Sequence, residues 1–255
     1  MLYSFTDIVV IGLIMTCGSV IQGAVGFASG LLGVPLLVLC GWSLPEAATV
    51  NLVSTGFQNT TGAVKLWTQL EARELVFPVV VRWLAIPLGT YAAWYSDQHL
   101  EQDHAKQLIG GILLGIIILM YFGRVTPRES LNYFWKSLAF SSSGFMLGFA
   151  SIGGAPMVIY VNALTWTAAK SRAFLFTCSA FGLPVAAAVF WMKHGEKIIP
   201  AALSTLIIMP LILGGLWIGL RLGHDLSKPL FQKITYGLLV LLAISAIVWP
   251  MFGEY

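Results

Sequence analysis

The sequence is poor in charge. Only 10% of its 255 residues are Asp, Glu, Lys or Arg, against roughly 25% in a typical soluble domain, and 58% of the residues are hydrophobic. The net charge is only +3 and no run of basic residues occurs, which argues against nucleic acid as a partner. The composition therefore predicts an integral membrane protein with lipid around it.

Residues that carry chemistry in enzymes are also scarce. The three cysteines and four histidines have spacings that fit neither a metal site nor a disulfide framework. No nucleophile elbow, phosphate loop or dinucleotide fingerprint occurs. We therefore expect no enzymatic activity, no catalytic residue, no metal and no cofactor, and we expect the single cysteines to be small buried side chains.

Acidic residues are missing from the middle of the apolar segments. All 11 Asp and Glu residues fall near the predicted ends of these segments or in loops. A buried carboxylate relay, or a carboxylate site for a cation, is therefore disfavoured. The pattern favours a small anion as the solute that the protein handles.

The sequence does contain a glycine-rich stretch that occurs twice. Residues 26–35 read GFASGLLGVP, and residues 148–156 read GFASIGGAP. Glycine is unfavourable inside a helix and proline suits a first turn, so each stretch predicts a break followed by a short helix that its proline opens. In lipid, irregular backbone persists only where it is buried in protein or lines a wet cavity. Interrupted segments at matching places in two halves indicate a transporter's binding site.

The apolar segments predict an all-α polytopic membrane protein with two repeats, 1–127 and 128–255, in one integrated transport domain. About ten such segments occur, or about five per half. Matches such as Pro78 with Pro200 and Pro87 with Pro210, at an offset of roughly 120 residues, indicate a duplication. If every segment crosses, the repeats are inverted and most basic residues collect on one side, as the positive-inside rule requires. Whether the short segments 25–41 and 152–166 cross or re-enter is left open.

Polar residues cluster at the two breaks and in segment 46–66. In this segment Asn51, Thr55 and Gln58 recur at helical spacing, which predicts a polar face that serves either helix contacts or solute binding. Backbone amides, hydroxyl groups and the positive end of a short helix can surround an oxyanion without a fixed counter-charge. The predicted substrate-binding residues are Gln22, Gly23, Gly26, Ser29, Asn51, Ser54, Thr55, Asn59, Ser151, Gly153, Gly154, Arg172 and Thr177.

Two arginines have ambiguous positions. Arg172 stands at the start of the helix that matches segment 46–66, where its guanidinium either draws an anion toward the site or anchors the helix at the membrane surface. Arg82 lies several residues inside another apolar segment, and pairing with a helix end or a lipid headgroup is the favoured interpretation. We expect Asn51→Ala or Arg172→Ala to abolish transport while leaving the protein folded.

A family resemblance adds to this interpretation. The matching residues are QGAVGF at 22–27 with Pro35, GF at 148–149 with GGAP at 153–156, and SRA at 171–173. With these motifs the chain resembles the TauE/SafE family of sulfite exporters and toluene-sulfonate uptake permeases. The resemblance covers nearly the whole chain and implies a multi-pass carrier of the bacterial-type inner (plasma) membrane for sulfite or an organosulfonate.

We therefore expect a secondary transporter, in the first place an exporter, of a small sulfur oxyanion such as sulfite or an organosulfonate. It would work by alternating access at the paired breaks. An anion channel with the same lining and a non-transporting membrane subunit are the alternatives. The expected partners are the anionic sulfur compound and the lipid bilayer, with no nucleic acid. The exact substrate, the direction, the coupling ion and homo-oligomerisation are left open.

Overall fold

A computed structural model describes residues 3–99, 128–227, 229–231, 233–234 and 237. The α-helices of these residues are α1 Phe5–Val25, α2 Ser29–Leu39, α3 Leu44–Leu66, α4 Arg73–His99, α5 Tyr133–Ala150, α6 Gly154–Asn162, α7 Ala168–His194, α8 Ile199–Ile207 and α9 Met209–Leu222. Short 3₁₀ helices, Trp67–Gln69 and Gly195–Ile198, follow α3 and α7. No β-strand occurs in this part of the chain, so the all-α prediction is confirmed for it.

Three helical stretches among the described residues are long and apolar enough to cross a membrane: Phe5–Val25, Arg73–Ser96 and Ala168–Ile207. The helix α3 has 23 residues, about 35 Å at 1.5 Å per residue, but its polar face keeps it out of this group. The predicted segment 106–123 and most of segment 230–250 lie outside the described residues. Ten crossings, the two repeats and their inverted orientation therefore stay predictions.

Both predicted breaks are present. After α1 the chain turns through Gly26 (φ 88°) and Ala28 (φ 94°) before α2 begins, and after α5 it turns through Ser151 (φ 58°) before α6 begins. These are left-handed conformations that end a right-handed helix. Each long helix is thus followed by a sharp reversal and a short helix.

The second proline lies where it was predicted, and the first does not. Pro156 is in the first turn of α6, whereas Pro35 is inside α2, which already begins at Ser29. The expectation that Pro35 opens the short helix is therefore wrong. The turn at Ala28 ends the break before the proline is reached. Pro35 lacks the N–H that would bond to the Leu31 carbonyl four residues earlier.

Glycines let two pairs of helices approach closely. A Cβ atom on Gly23 of α1 would lie 2.8 Å from Gly219 Cα of α9, and one on Gly148 of α5 would lie 2.8 Å from the backbone nitrogen of Thr90 in α4. Small residues at such contacts are a common way of joining helices in a membrane, where no hydrophobic force drives them together. These contacts fix the long helices around the breaks.

The start of α3 is attached to the residues before α1. The Tyr3 hydroxyl donates to Glu46 Oε1 at 2.8 Å, and Ser43 and Glu46 form a capping box on α3. Burial, followed by the hydrogen bond to Glu46, raises the pKa of the Tyr3 phenol. This attachment orients the polar face of α3.

The cysteines do not share one environment. Cys178 is buried, whereas Cys17 and Cys40 are exposed on the surface of the helices, so the prediction of three buried thiols is wrong for two of them. In a membrane protein the outer surface is as apolar as the interior, and hydrophobic character therefore does not decide which way a side chain faces.

Candidate functional site

The two breaks lie against each other near the polar face of α3. A Cβ atom on Gly30 would lie 3.0 Å from the Ser151 carbonyl oxygen, and one on Gly154 would lie 3.1 Å from Phe27 Cβ. Between them is a cavity of about 40 Å³. One bound water needs roughly 10–15 Å³ measured in the same way, so the cavity has room for a few water-sized atoms.

The structure brings most of the predicted site residues together at this cavity. Those that line it are Gln22, Gly26, Asn51, Thr55, Asn59, Ser151, Gly153 and Gly154. Sequence reasoning missed several others. These are Phe27, Ala28, Gly30, Leu31, Arg82, Leu147, Ile152, Ser179 and Leu183.

The remaining predicted residues are not among the lining residues. Gly23 is part of the contact between α1 and α9, and Thr177 is buried inside the bundle. Ser29 and Ser54 accept hydrogen bonds from the side chain of Gln58, next to the cavity. Their roles in substrate binding stay predictions, and these contacts support the structure around the cavity instead.

Gln22 holds the first break in place. Its Nε2 donates to Asn59 Oδ1 at 2.8 Å, and its Oε1 accepts from the backbone N–H of Ser29 at 3.1 Å. The side chain thus joins α1, α3 and the beginning of α2. Because both ends of the amide are used, the position of the first turn of α2 is fixed relative to α3.

Asn51 crosses from α3 to the second break. Its Nδ2 donates to the Ser151 carbonyl at 2.6 Å and lies 3.1 Å from Ser151 Oγ. A carbonyl oxygen can only accept, so this contact identifies the nitrogen of the amide and leaves Oδ1 as the other atom. In the described part of the chain, this buried Oδ1 has no hydrogen-bond partner. Asn51 therefore joins two helices and also leaves one acceptor unused.

Arg82 of α4 is buried at the cavity, with 1% of its surface exposed. Its Nη1 donates to the Cys178 carbonyl of α7, while Nε has no hydrogen-bond partner and no carboxylate forms an ion pair with it among the described residues. The expectation of a helix end or a lipid headgroup as its partner is wrong. An arginine deep in an apolar segment was itself the signal of a functional site.

Arg172 contacts backbone carbonyls instead of the cavity. Its guanidinium donates to the carbonyl of Gly23 at 2.8 Å, to that of Leu220 at 3.4 Å and to that of Gly223. It is 2% exposed and joins the start of α7 to α1 and to the end of α9. Its backbone packs against the lining residue Gly26, where an added Cβ atom would lie 3.2 Å from Arg172 Cα. Its role in substrate contact stays a prediction.

The short helices add partial positive charge. The N-cap residues Ala28 and Gly153 make no side-chain cap on α2 and α6, although Gln22 Oε1 accepts from the first N–H of α2 at Ser29. The first-turn residues Gly30, Leu31 and Gly154 line the cavity. The free N–H groups of a helix start attract anions. With the guanidinium of Arg82 and no acidic residue among the described residues of the lining, the electrostatic potential in the cavity favours an anion.

A bundle of apolar helices with a small polar cavity between two short helices is typical of a membrane transporter. The family model for "Sulfite exporter TauE/SafE" matches residues 10–246, nearly the whole chain. The chain belongs to this family, which is a family of transporters, so the family resemblance is confirmed. No curated protein and no solved structure matches the chain.

Proposed function

We propose that the chain is a secondary transporter that exports a small sulfur oxyanion, such as sulfite or a small organosulfonate, across the inner (plasma) membrane by alternating access. One observation carries the proposal: Arg82 is buried beside the cavity between the breaks, and its Nε has no partner in the described part of the chain. The family description, which names sulfite, supports this choice of substrate.

A buried guanidinium with no counter-charge is energetically unfavourable, because a charge loses its hydration when it leaves water. Arginine stays charged under such conditions. An oxyanion in the cavity would accept a hydrogen bond from Arg82 Nε and would also interact with the first-turn amides of α2 and α6. The anion thus supplies the charge that the protein lacks.

The size of the cavity limits the solute. A volume of about 40 Å³ suits an anion of a few non-hydrogen atoms, whereas a bulky aromatic sulfonate requires the helices to separate. Apolar side chains enclose the polar lining, among them Phe27, Leu147 and Leu183. A small cavity of this kind between two helix breaks supports a carrier that opens to one side at a time over a channel.

Replacing Arg82 by glutamine tests the proposal. We expect Arg82→Gln to weaken sulfite binding roughly 10- to 100-fold, because a hydrogen bond to a charged group contributes about 1.5–3 kcal/mol. Uptake of labelled sulfite into proteoliposomes by this variant should fall together with the binding affinity. The matched control is Arg73→Gln on the same helix, because Arg73 is exposed and pairs with Glu71 at 2.6 Å. This control should transport like the wild type.

Three results would contradict the proposal. Wild-type uptake by folded Arg82→Gln protein removes the proposed anion site. Ohmic current without saturable exchange between labelled and unlabelled sulfite identifies a channel. If the purified wild-type chain binds and moves no anion, a non-transporting membrane subunit is the better interpretation.

A further inference from the structure

We infer that the cavity binds its oxyanion in the singly protonated form, as a monoanion that brings one hydrogen-bond donor. For sulfite this is hydrogen sulfite, so the substrate carries its own proton across the membrane. The inference rests on the proposed function and adds the ionisation state of the substrate. Two buried polar atoms without a hydrogen-bond partner among the described residues carry the inference: the donor Arg82 Nε and the acceptor Asn51 Oδ1.

The cavity offers one full positive charge to its ligand. Arg82 is the only charged residue among the described residues that line it. A monoanion balances this charge, whereas a dianion would keep one negative charge unpaired in a small cavity among buried side chains. An unpaired buried charge is strongly unfavourable. The charge balance therefore favours a monoanion.

Few titratable groups of the neighbouring helices face Arg82. In the described part of the chain, the Cys178 thiol of α7 lies 3.5 Å from Nη1. The other ionisable residues of the two helices packed against α4 lie toward helix ends: Tyr133 and Lys136 on α5, and Lys170, Arg172, Lys193 and His194 on α7. A pH effect on binding therefore has to be separated from titration of Cys178.

One lining residue, Asn51, also has an unused acceptor. The hydrogen bonds from its Nδ2 to Ser151 leave Oδ1 without a partner among the described residues. A fully ionised oxyanion has acceptors only and leaves this atom unpaired, at a cost of about 1–3 kcal/mol. A ligand that bears a hydrogen can donate it to Asn51 Oδ1. The pair of atoms thus matches an anion with one charge and one donor.

The proton balance of transport follows from this match. The anion takes up one proton from water on the side where it enters, crosses as hydrogen sulfite with one negative charge, and releases the proton where it leaves. No side chain of the protein has to gain or lose a proton in this cycle. The part of the chain that the structure describes contributes no acidic residue to the cavity lining, which agrees with this cycle.

Equilibrium binding to the purified full chain in detergent tests the inference. The ligands are sulfite, sulfate and methanesulfonate, each measured over a pH range that spans the second ionisation of sulfurous acid. We expect the apparent Kd for sulfite to rise about tenfold per pH unit above that pKa, because only the protonated fraction binds. Methanesulfonate is a monoanion without a donor. It should bind roughly 5- to 150-fold more weakly than sulfite does below that pKa, without pH dependence. Sulfate, as a dianion, should bind more weakly than sulfite below that pKa, and the difference should shrink as the pH rises.

Controls separate the ligand's proton from those of the protein. Cys178→Ser removes the one titratable side chain found at Arg82 and should keep the pH midpoint for sulfite unchanged. A pH-dependent Kd for methanesulfonate, or a midpoint that moves in Cys178→Ser, shows that a protein group titrates and overturns the inference.

The inference and the proposed function can fail separately. Sulfite affinity that is constant or rises with pH overturns the inference and leaves the anion site standing. Sulfate binding as tight as that of sulfite below the second pKa of sulfurous acid does the same. Failure of every anion to bind at any pH overturns the proposed function and the inference together.

Discussion

At the residue scale, two buried arginines have different positions. Both have an Nε without a hydrogen-bond partner among the described residues, and both donate from Nη to backbone carbonyls. Arg82 lines the cavity, whereas Arg172 is not among its lining residues. From the sequence, Arg172 was the predicted anion contact because it stands near the mouth of a segment. A position along a helix does not tell which way a long side chain turns, and the structure decides between the two.

The prediction for Arg172→Met concerns stability. Removal of the guanidinium leaves buried carbonyls without a donor, and each such group costs about 1–3 kcal/mol. We expect a clearly lower Tm in detergent and a smaller loss of sulfite affinity than for Arg82→Gln, measured on the folded fraction. A Tm equal to that of the wild type together with abolished binding would restore Arg172 as a substrate contact.

At the scale of elements, helix contacts depend on individual glycines. On α9, a Cβ atom at Gly215 would lie 2.8 Å from the Thr16 carbonyl oxygen of α1, whereas one at Gly214 would meet nothing within 4 Å. The two positions are adjacent in sequence and belong to one helix. Substitutions at the two positions therefore distinguish the effect of the contact between helices from the effect of helix propensity.

Alanine substitutions at these two glycines should have opposite effects. Both gain about 1 kcal/mol of helix propensity, but Gly215→Ala also forces α1 and α9 apart, and overpacking costs about 1–3 kcal/mol. We expect the Tm in detergent to fall for Gly215→Ala and to stay equal or rise for Gly214→Ala. Equal shifts in both variants would show that the close approach of α1 and α9 does not stabilise the fold.

At the scale of the whole molecule, the two breaks and α3 enclose one small cavity. Residues from both halves of the chain meet there, for example Asn51 with Ser151 at 2.6 Å. A carrier mechanism requires this enclosure to open on either side of the membrane in turn. The binding of the anion between the breaks would then set which side is open.

Thiol labelling tests this alternation. In a background with serine at 17, 40 and 178, Ser179→Cys places a thiol in the cavity lining. We expect impermeant reagents to label it from both sides of the membrane, with rates that change in opposite directions when a sulfite gradient is applied. Glu71→Cys is the control, because residue 71 is exposed between α3 and α4 and should react from one side only. Labelling of position 179 that does not respond to sulfite would favour a channel.

The sequence by itself determined the class of protein, the helices and the breaks. Low charge and long apolar segments require a lipid environment, and a helix is the structure that satisfies its own backbone there. The breaks were predictable because glycine and proline act on the backbone locally, within a few residues. The polar face of α3 and about half of the lining residues of the cavity followed from the same local patterns.

Only the tertiary structure decided which of these residues meet. The contacts of Arg82 with Cys178, of Asn51 with Ser151 and of Arg172 with Gly223 join residues that are far apart in the chain. They depend on how the helices are arranged, and in a membrane hydropathy does not encode that arrangement, because the lipid-facing and the buried surfaces are equally apolar. For the same reason the sequence could not tell a buried cysteine from an exposed one, nor the arginine at the cavity from the arginine that joins the helices.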